Sequence, residues 1–310
     1  MEISRVRFLL SLSLGIVAIS FASIFIRLAQ AQGVPTLSIA AWRLIFASLV
    51  LLPYTWATSR DEIRDLSRLE WGLLGASGLF LGLHFASWIG SLGYTSVASS
   101  VVLVSMGPIF VGLGSWIFLH ERPGLQMVVG MILAAAGSIV ISWGDFGQGR
   151  SQLLGDLLAL IGAIMIAAYF MIGRKVRGRR SLTAYIGLVY GVAMVTLVVI
   201  VLLGRQPMSG FGLEAFGWMM ALGLVPQLIG HSTLNWALRY LSATFVSIVV
   251  LSEPIGSGIL AYIVLHEPVT WSTAAGGVVV LAGIYIASRA EMARSSGQQP
   301  LPALQPMEKV

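Results

Sequence analysis

The sequence predicts an all-α integral membrane protein of ten transmembrane helices, arranged as two inverted five-helix repeats. Three observations predict it. Only 10% of the 310 residues are charged and 57% are hydrophobic, with mean hydropathy +0.88; a soluble domain carries about 25% charged residues. The apolar residues gather into ten segments, and about 20 helical residues at 1.5 Å each cross the ~30 Å hydrocarbon layer. Finally, Tyr94, Pro108, His120, Glu121, Gly130 and Gly137 recur 146 residues later as Tyr240, Pro254, His266, Glu267, Gly276 and Gly283. Spread over two spans and the turn between them, these matches mark an internal duplication.

The chain opens on a short basic lead with Arg5 and Arg7, followed by the first span at 8–29. Ala29-Gln30-Ala31 resembles a signal cleavage site, but the segment is long and cleavage would remove the opening helix of the first repeat. Spans two to five follow at 35–57, 70–92, 96–118 and 124–142, and spans six to ten at 153–173, 182–204, 214–238, 243–265 and 270–288. The repeats are therefore 8–142 and 153–288. Most connections are short, so consecutive spans run antiparallel. Residues 58–69, with Arg60, Asp61, Glu62, Arg64, Asp65 and Arg68, read as an amphipathic surface helix, and 174–180 are a basic run. The tail 289–310, rich in Gln, Pro and Ser, reads as disordered.

With the N-terminus in the cytoplasm, fifteen Lys and Arg fall on the inner side and three, Arg27, Arg150 and Arg205, on the outer side, leaving Arg43 within a span. This is the positive-inside asymmetry, so the formal charge of +6 reports topology and not a nucleic-acid partner. Both termini are expected in the cytoplasm, and the protein in the plasma or inner membrane. Five spans per copy is an odd number, so the second copy enters the membrane upside down. Inverted repeats build many secondary transporters, with the site near the midplane where the copies meet. There is no cysteine, hence no disulfide framework and no thiolate metal site.

A particular set of motifs occupies this frame: Ala41-Trp42-Arg43-Leu44 with Pro53, Leu92-Gly93-Tyr94-Thr95-Ser96, and Pro108 with His120-Glu121 in the first copy. The second copy carries Gly155-Asp156-Leu157-Leu158-Ala159-Leu160, Asn235-Trp236-Ala237-Leu238-Arg239-Tyr240, and Glu253-Pro254 with His266-Glu267. On these residues the sequence resembles the EamA family of the drug/metabolite transporter superfamily, over about residues 12–288. The resemblance implies a cavity lined by spans one, three, four, six, eight and nine that alternates between the two sides. It does not specify a substrate.

Glu253 is the acid placed deepest within a span, beside Pro254. An acid at the membrane centre costs about 2.5 to 3.5 kcal/mol on insertion scales, and a proline removes a helical hydrogen bond. Two readings stand side by side: an ion-coupling carboxylate that cycles a proton or binds a cation, and a carboxylate that fixes the kink. Pro108 and Pro254, at matching positions of the two copies, mark either the substrate pathway or packing kinks, with Gly107 and Ser105 loosening the first. Gln227, His231 and Asn235, four apart, share one helical face. His84, Ser87, Trp88 and Ser91 answer from the third span, and Ser13, Ser20 and Ser23 from the first. Such polar stripes need each other or water. The expected substrate pathway is therefore Ser23, His84, Ser87, Trp88, Ser105, Pro108, Tyr169, Gln227, His231, Asn235, Glu253 and Pro254.

Arg43 lies about 12 Å in from the outer end of the second span at 1.5 Å per residue. It can bind a substrate carboxylate, pair with Glu253, or serve structure in a peripheral helix. Trp42, Trp88, Tyr169, Phe170 and Trp236 supply either an aromatic wall or core packing. The His-Glu turns lack a further acid or histidine at ligand spacing, so no metal is expected; Glu121 with Pro123 and Glu267 with Pro268 read as helix starts. Gly130 with Gly137 and Gly276 with Gly283 permit close helix packing, within the chain or in a homodimer.

The leading function is secondary active transport, as an exporter of small metabolites such as amino acids, amines or amphipathic compounds, by alternating access with proton or ion coupling. A facilitative channel, a uniporter, or an exchanger without ion coupling is the alternative. No filter loop or ring of charge favours a channel. An intramembrane enzyme is disfavoured, since no aspartate pair lies within the spans and neither a Gly-x-Ser-x-Gly elbow nor a His-Glu-x-x-His pair is present. No nucleotide loop occurs either, so ATP is not the direct energy source, and no cofactor is expected. The partners are a small-molecule substrate and the lipid bilayer.

Overall fold

A computed structural model describes residues 5–95, 97–141, 152–266 and 271–297. In order, the first repeat contains α1 (Arg5–Ala31), α2 (Thr36–Arg64), α3 (Arg68–Ser91), α4 (Val97–Val104), α5 (Gly107–Phe118) and α6 (Leu125–Ile141). The second contains α7 (Gln152–Arg177), α8 (Leu182–Leu203), α9 (Leu213–Leu222), a π-helical stretch (Gly223–His231), α10 (Ser232–Ala237), α11 (Ala243–Val250), α12 (Glu253–Leu265) and α13 (Trp271–Gly297). Among the described residues nine apolar helical stretches are long enough to cross a membrane, and the apolar helix Leu125–Ile141 is shorter. Large apolar side chains such as Leu49, Leu79, Val195, Leu202 and Ile263 point outward. In water that would be a liability; a lipid surround requires it.

The two repeats are inverted, and the helix pairs that meet between them show it directly. α6 and α13 hold equivalent places in the two copies, yet Gly130 lies against Gly283 and Gly137 against Gly276, so the helices run antiparallel. α2 and α8, the next equivalent pair, behave alike: Thr55 donates to the Thr183 carbonyl and lies against Gly187, while Leu52 lies against Gly191. The α6–α13 contact is backbone on backbone. A Cβ on Gly130 would sit 2.7 Å from the Gly283 carbonyl oxygen, and one on Gly276 2.6 Å from that of Gly137. These four glycines are therefore taken up within the chain and leave no stripe for a second copy.

Several boundaries differ from those expected of the sequence. The surface helix foreseen over 58–69 is instead a continuation of α2 to Arg64, bent at Ser59 (φ −131°, ψ 16°). A turn then leads to Ser67, which caps α3: its hydroxyl accepts from the Glu70 amide while the Glu70 carboxylate accepts from the Ser67 amide at 2.9 Å. Residues 289–297, expected in the tail, instead continue α13 to Gly297. There the buried Glu291 carboxylate accepts from the amide and hydroxyl of Ser242, the N-cap of α11, at 2.6 and 2.8 Å. Residues 298–310 lie outside the described residues.

Nor does the first His-Glu turn begin a helix. His120 (φ 55°) and His266 (φ 57°) close α5 and α12 in the left-handed region, where histidine is enriched and glycine is commonest. The Glu121 amide bonds back six residues to the Ser115 carbonyl at 3.0 Å. Glu121 itself is held by Arg174 at 3.2 Å and Arg294 at 3.7 Å. The second turn, Glu267-Pro268, lies outside the described residues.

Candidate functional site

Spans four and nine were expected as kinked helices, but each is two helices. α4 stops at Val104 and α5 starts at Gly107; α11 stops at Val250 and α12 starts at Glu253. Pro108 and Pro254 therefore occupy the first turn of a new helix, where a missing amide hydrogen removes no intrahelical bond. Short i→i+3 bonds bridge each break: Ile109 amide to Met106 carbonyl at 2.9 Å, and Ile255 amide to Ser252 carbonyl at 3.1 Å.

Between the two breaks lies a cavity of about 330 Å³. Of the residues expected along the pathway, Ser23, His84, Trp88, Ser105, Pro108, His231, Glu253 and Pro254 line it. Arg43 does too, although helix two was expected at the periphery. α2 packs on the π-helical stretch and so turns this residue inward. Phe85 and Phe170 add apolar wall, and sequence pattern gave no signal for Phe85. Glu253 is half-buried because it faces this space, at the N-terminal end of α12 where a negative charge is favoured. Among the described residues its carboxylate has no hydrogen-bond or ion-pair partner.

Four expected pathway residues stand behind the wall. Gln227 is 0% exposed and accepts from Arg43 Nε at 2.7 Å. Asn235, equally buried, donates to the His231 carbonyl at 2.7 Å and to the Tyr169 hydroxyl at 2.5 Å. Tyr169 is thereby in the core and not on the cavity surface. The π-helical stretch around Pro226 holds Gln227 and His231 and gives way to α10 before Asn235, so the three do not follow one helical repeat, and of them only His231 lines the cavity. Ser87 folds onto its own helix, donating to the Leu83 carbonyl at 2.6 Å. Trp42 and Trp236 also face elsewhere, the first donating to the Met208 carbonyl at 2.9 Å and the second packing on Phe8.

The lining is held in place from both repeats. His84 Nδ1 donates to the Gly162 carbonyl at 2.9 Å and its ring stacks on Trp88 at 5.7 Å. The Arg43 guanidinium lies 4.2 Å over the Phe85 ring, and Phe85 meets His231 edge to face at 5.4 Å. At one end of the bundle Thr95 donates to Asp156 at 2.8 Å, joining the turn before α4 to α7.

The cavity draws on the C-terminal parts of α1 and α3 and reaches Ile141, the last residue of α6. It therefore extends toward the side of the bundle where those helices end. At the opposite side, where α3 begins and α7 ends, charged side chains tie the repeats together. Arg174 donates to Glu121 and to the Leu238 carbonyl; Arg180 holds both carboxylate oxygens of Glu70, at 2.6 and 2.7 Å. That hydrogen bonding raises the Arg180 pKa further above its usual value, so the clamp stays charged at any physiological pH. Arg177, 2% exposed, is satisfied by the carbonyls of Asn235 and Arg180.

Residues 7–143 and 153–289 each match the model of the EamA-like transporter family, one match per repeat. The chain belongs to the EamA-like transporter family. Among its EamA relatives, an uncharacterized transporter of Archaeoglobus fulgidus is 26% identical over 279 residues, covering 89% of this chain and 94% of that protein. The uncharacterized transporter YdfC of Bacillus subtilis is 25% identical, with 88% of each chain covered. WAT1-related protein At4g01430 of Arabidopsis thaliana is 22% identical, covering 87% of this chain and 84% of that one. A solved crystal structure superposes with TM-score 0.76 at 19% identity, covering 95% of this chain and all of the other, which shows a shared fold. The EamA motifs meet in space: Thr95 of the first copy bonds Asp156 of the second.

Proposed function

We propose that this multi-pass membrane protein is a secondary active exporter of small amphipathic metabolites, amino acids and amines among them, working by alternating access. The observation that carries the reading is Glu253: an unpartnered carboxylate at a helix break, opening on a central cavity whose other walls are mostly apolar. Such a group binds a proton or a cation when the cavity faces one side and releases it when the cavity faces the other. Arg43, His84 and His231 face the same space and set the field in which it titrates. The charged clamps at the far side belong to a state closed toward the cytoplasm, with both termini on that side of the plasma or inner membrane.

The test is transport into proteoliposomes. Wild-type protein should show saturable uptake, counterflow, and accumulation driven by a pH gradient. Glu253→Gln should keep counterflow and lose gradient-driven accumulation. Equal gradient dependence in the two proteins would reject coupling at Glu253 and leave a uniporter or exchanger; uptake that never saturates would reject a carrier altogether.

A further inference from the structure

The Arg43 guanidinium is 1% exposed, yet it is only half bonded. Nε donates to Gln227, while Nη2 has no hydrogen-bond partner although it is buried at the cavity wall. Leaving a charged donor unmatched is costly, because a buried group forfeits water and gets nothing in return. Two more orphaned nitrogens belong to the same wall. Trp88 Nε1 and His231 Nδ1 are buried without partners, and both residues line the cavity. Phe85 joins them, its ring lying under Arg43 and against His231. Glu253, on the α12 break, is beyond ion-pair distance from Arg43, so among the described residues no carboxylate forms an ion pair with this guanidinium.

We propose that Arg43 is the anion-recognition residue of the cavity, and that with Trp88 and His231 it receives a carboxylate or comparable oxyanion on the transported solute. The inference rests on the reading of this cavity as the transport site and adds the charge class of the cargo. The chemistry matches donor to acceptor. Nη2–H and the indole N–H can only donate, and His231 donates through Nδ1 in the matching tautomer, so the three together ask for an acceptor with several lone pairs. A guanidinium fixed at Nε by Gln227 keeps its remaining edge presented in one orientation, which suits a planar oxyanion. The apolar surface of Phe85 and Phe170 leaves room for a hydrocarbon body.

Three probes of similar shape decide the matter on the purified full-length chain by titration calorimetry: 3-phenylpropanoate, its uncharged amide 3-phenylpropanamide, and 2-phenylethylamine. The acid should bind about 10- to 100-fold more tightly than the amide, the range expected of a charge-assisted hydrogen bond. Arg43→Gln should abolish that preference while leaving amide binding in place. Trp88→Phe, which keeps the ring and removes one donor, should shrink the preference severalfold and serves even if Arg43→Gln fails to fold. Equal binding of acid and amide, or a preference unchanged in Trp88→Phe and Arg43→Gln, overturns the proposal. Binding of the amine alone also overturns it but leaves the transport site standing, whereas binding of none of the three removes both.

Discussion

The break between α4 and α5 and the break between α11 and α12 sit 146 residues apart and have the same backbone. Each leaves two residues between its helices, then starts a new helix with proline in the second position. They differ in the residue before the proline, Gly107 in one and Glu253 in the other. α5 thus presents a bare helix N-terminus to the cavity, while α12 carries its own negative charge at the same place. The basic residue is equally one-sided: Arg43 lines the cavity, and 146 residues on stands Val189, packed in the core. Duplication has preserved the scaffold, and two side chains, one from each copy, have made its interior electrically unequal.

If that inequality is the functional difference between the halves, the largest effect belongs to Glu253→Gln, which should abolish gradient-driven accumulation in proteoliposomes; Gly107→Ala, at the equivalent break, should leave it. Loss in both would mean that the breaks act alike. Next is Gln227→Ala, which frees Arg43 Nε and should cost about 2 to 3 kcal/mol of stability, as expected for a hydrogen bond to a charged group, together with a change in substrate affinity. Asn235→Ala removes the contacts to Tyr169 and the His231 carbonyl; it should lower the melting temperature by the equivalent of about 1 to 2 kcal/mol without altering affinity, because Asn235 supports the wall without belonging to it. Pro108→Ala and Pro254→Ala should each change stability by less than about 1 kcal/mol and by similar amounts, since both prolines stand where a helix begins. Smallest is Glu121→Gln, worth about 0 to 1 kcal/mol and masked by high salt in the same melting experiment, as befits partly exposed ion pairs with Arg174 and Arg294.

Most of the fold is legible in the sequence because its two strongest signals, apolar length and a fixed repeat offset, are the ones a membrane imposes. The breaks are half legible. Pro108 and Pro254 mark where something happens, but a proline inside a kinked helix and one opening a new helix are written identically. The face of Gln227, His231 and Asn235 misleads for a definable reason: spacing of four is read on one continuous α-helix, whereas Gln227 and His231 lie in a π-helical stretch and Asn235 in α10. Arg43 could be seen as buried but not as cavity-facing, since that depends on which side of α2 meets the second repeat. The expectation that glycines at 130, 137, 276 and 283 pack closely is met, and the structure adds that they pack on one another.

That last contact limits how the molecule can change shape. Where two helices touch through peptide groups, with carbonyl oxygens occupying the space a methyl would need, neither can advance by a residue or roll without collision. α6 and α13 are thus a fixed post at one edge of the bundle. Any rearrangement that turns the cavity from one face of the membrane to the other has to swing the remaining helices around that post, leaving the post itself still.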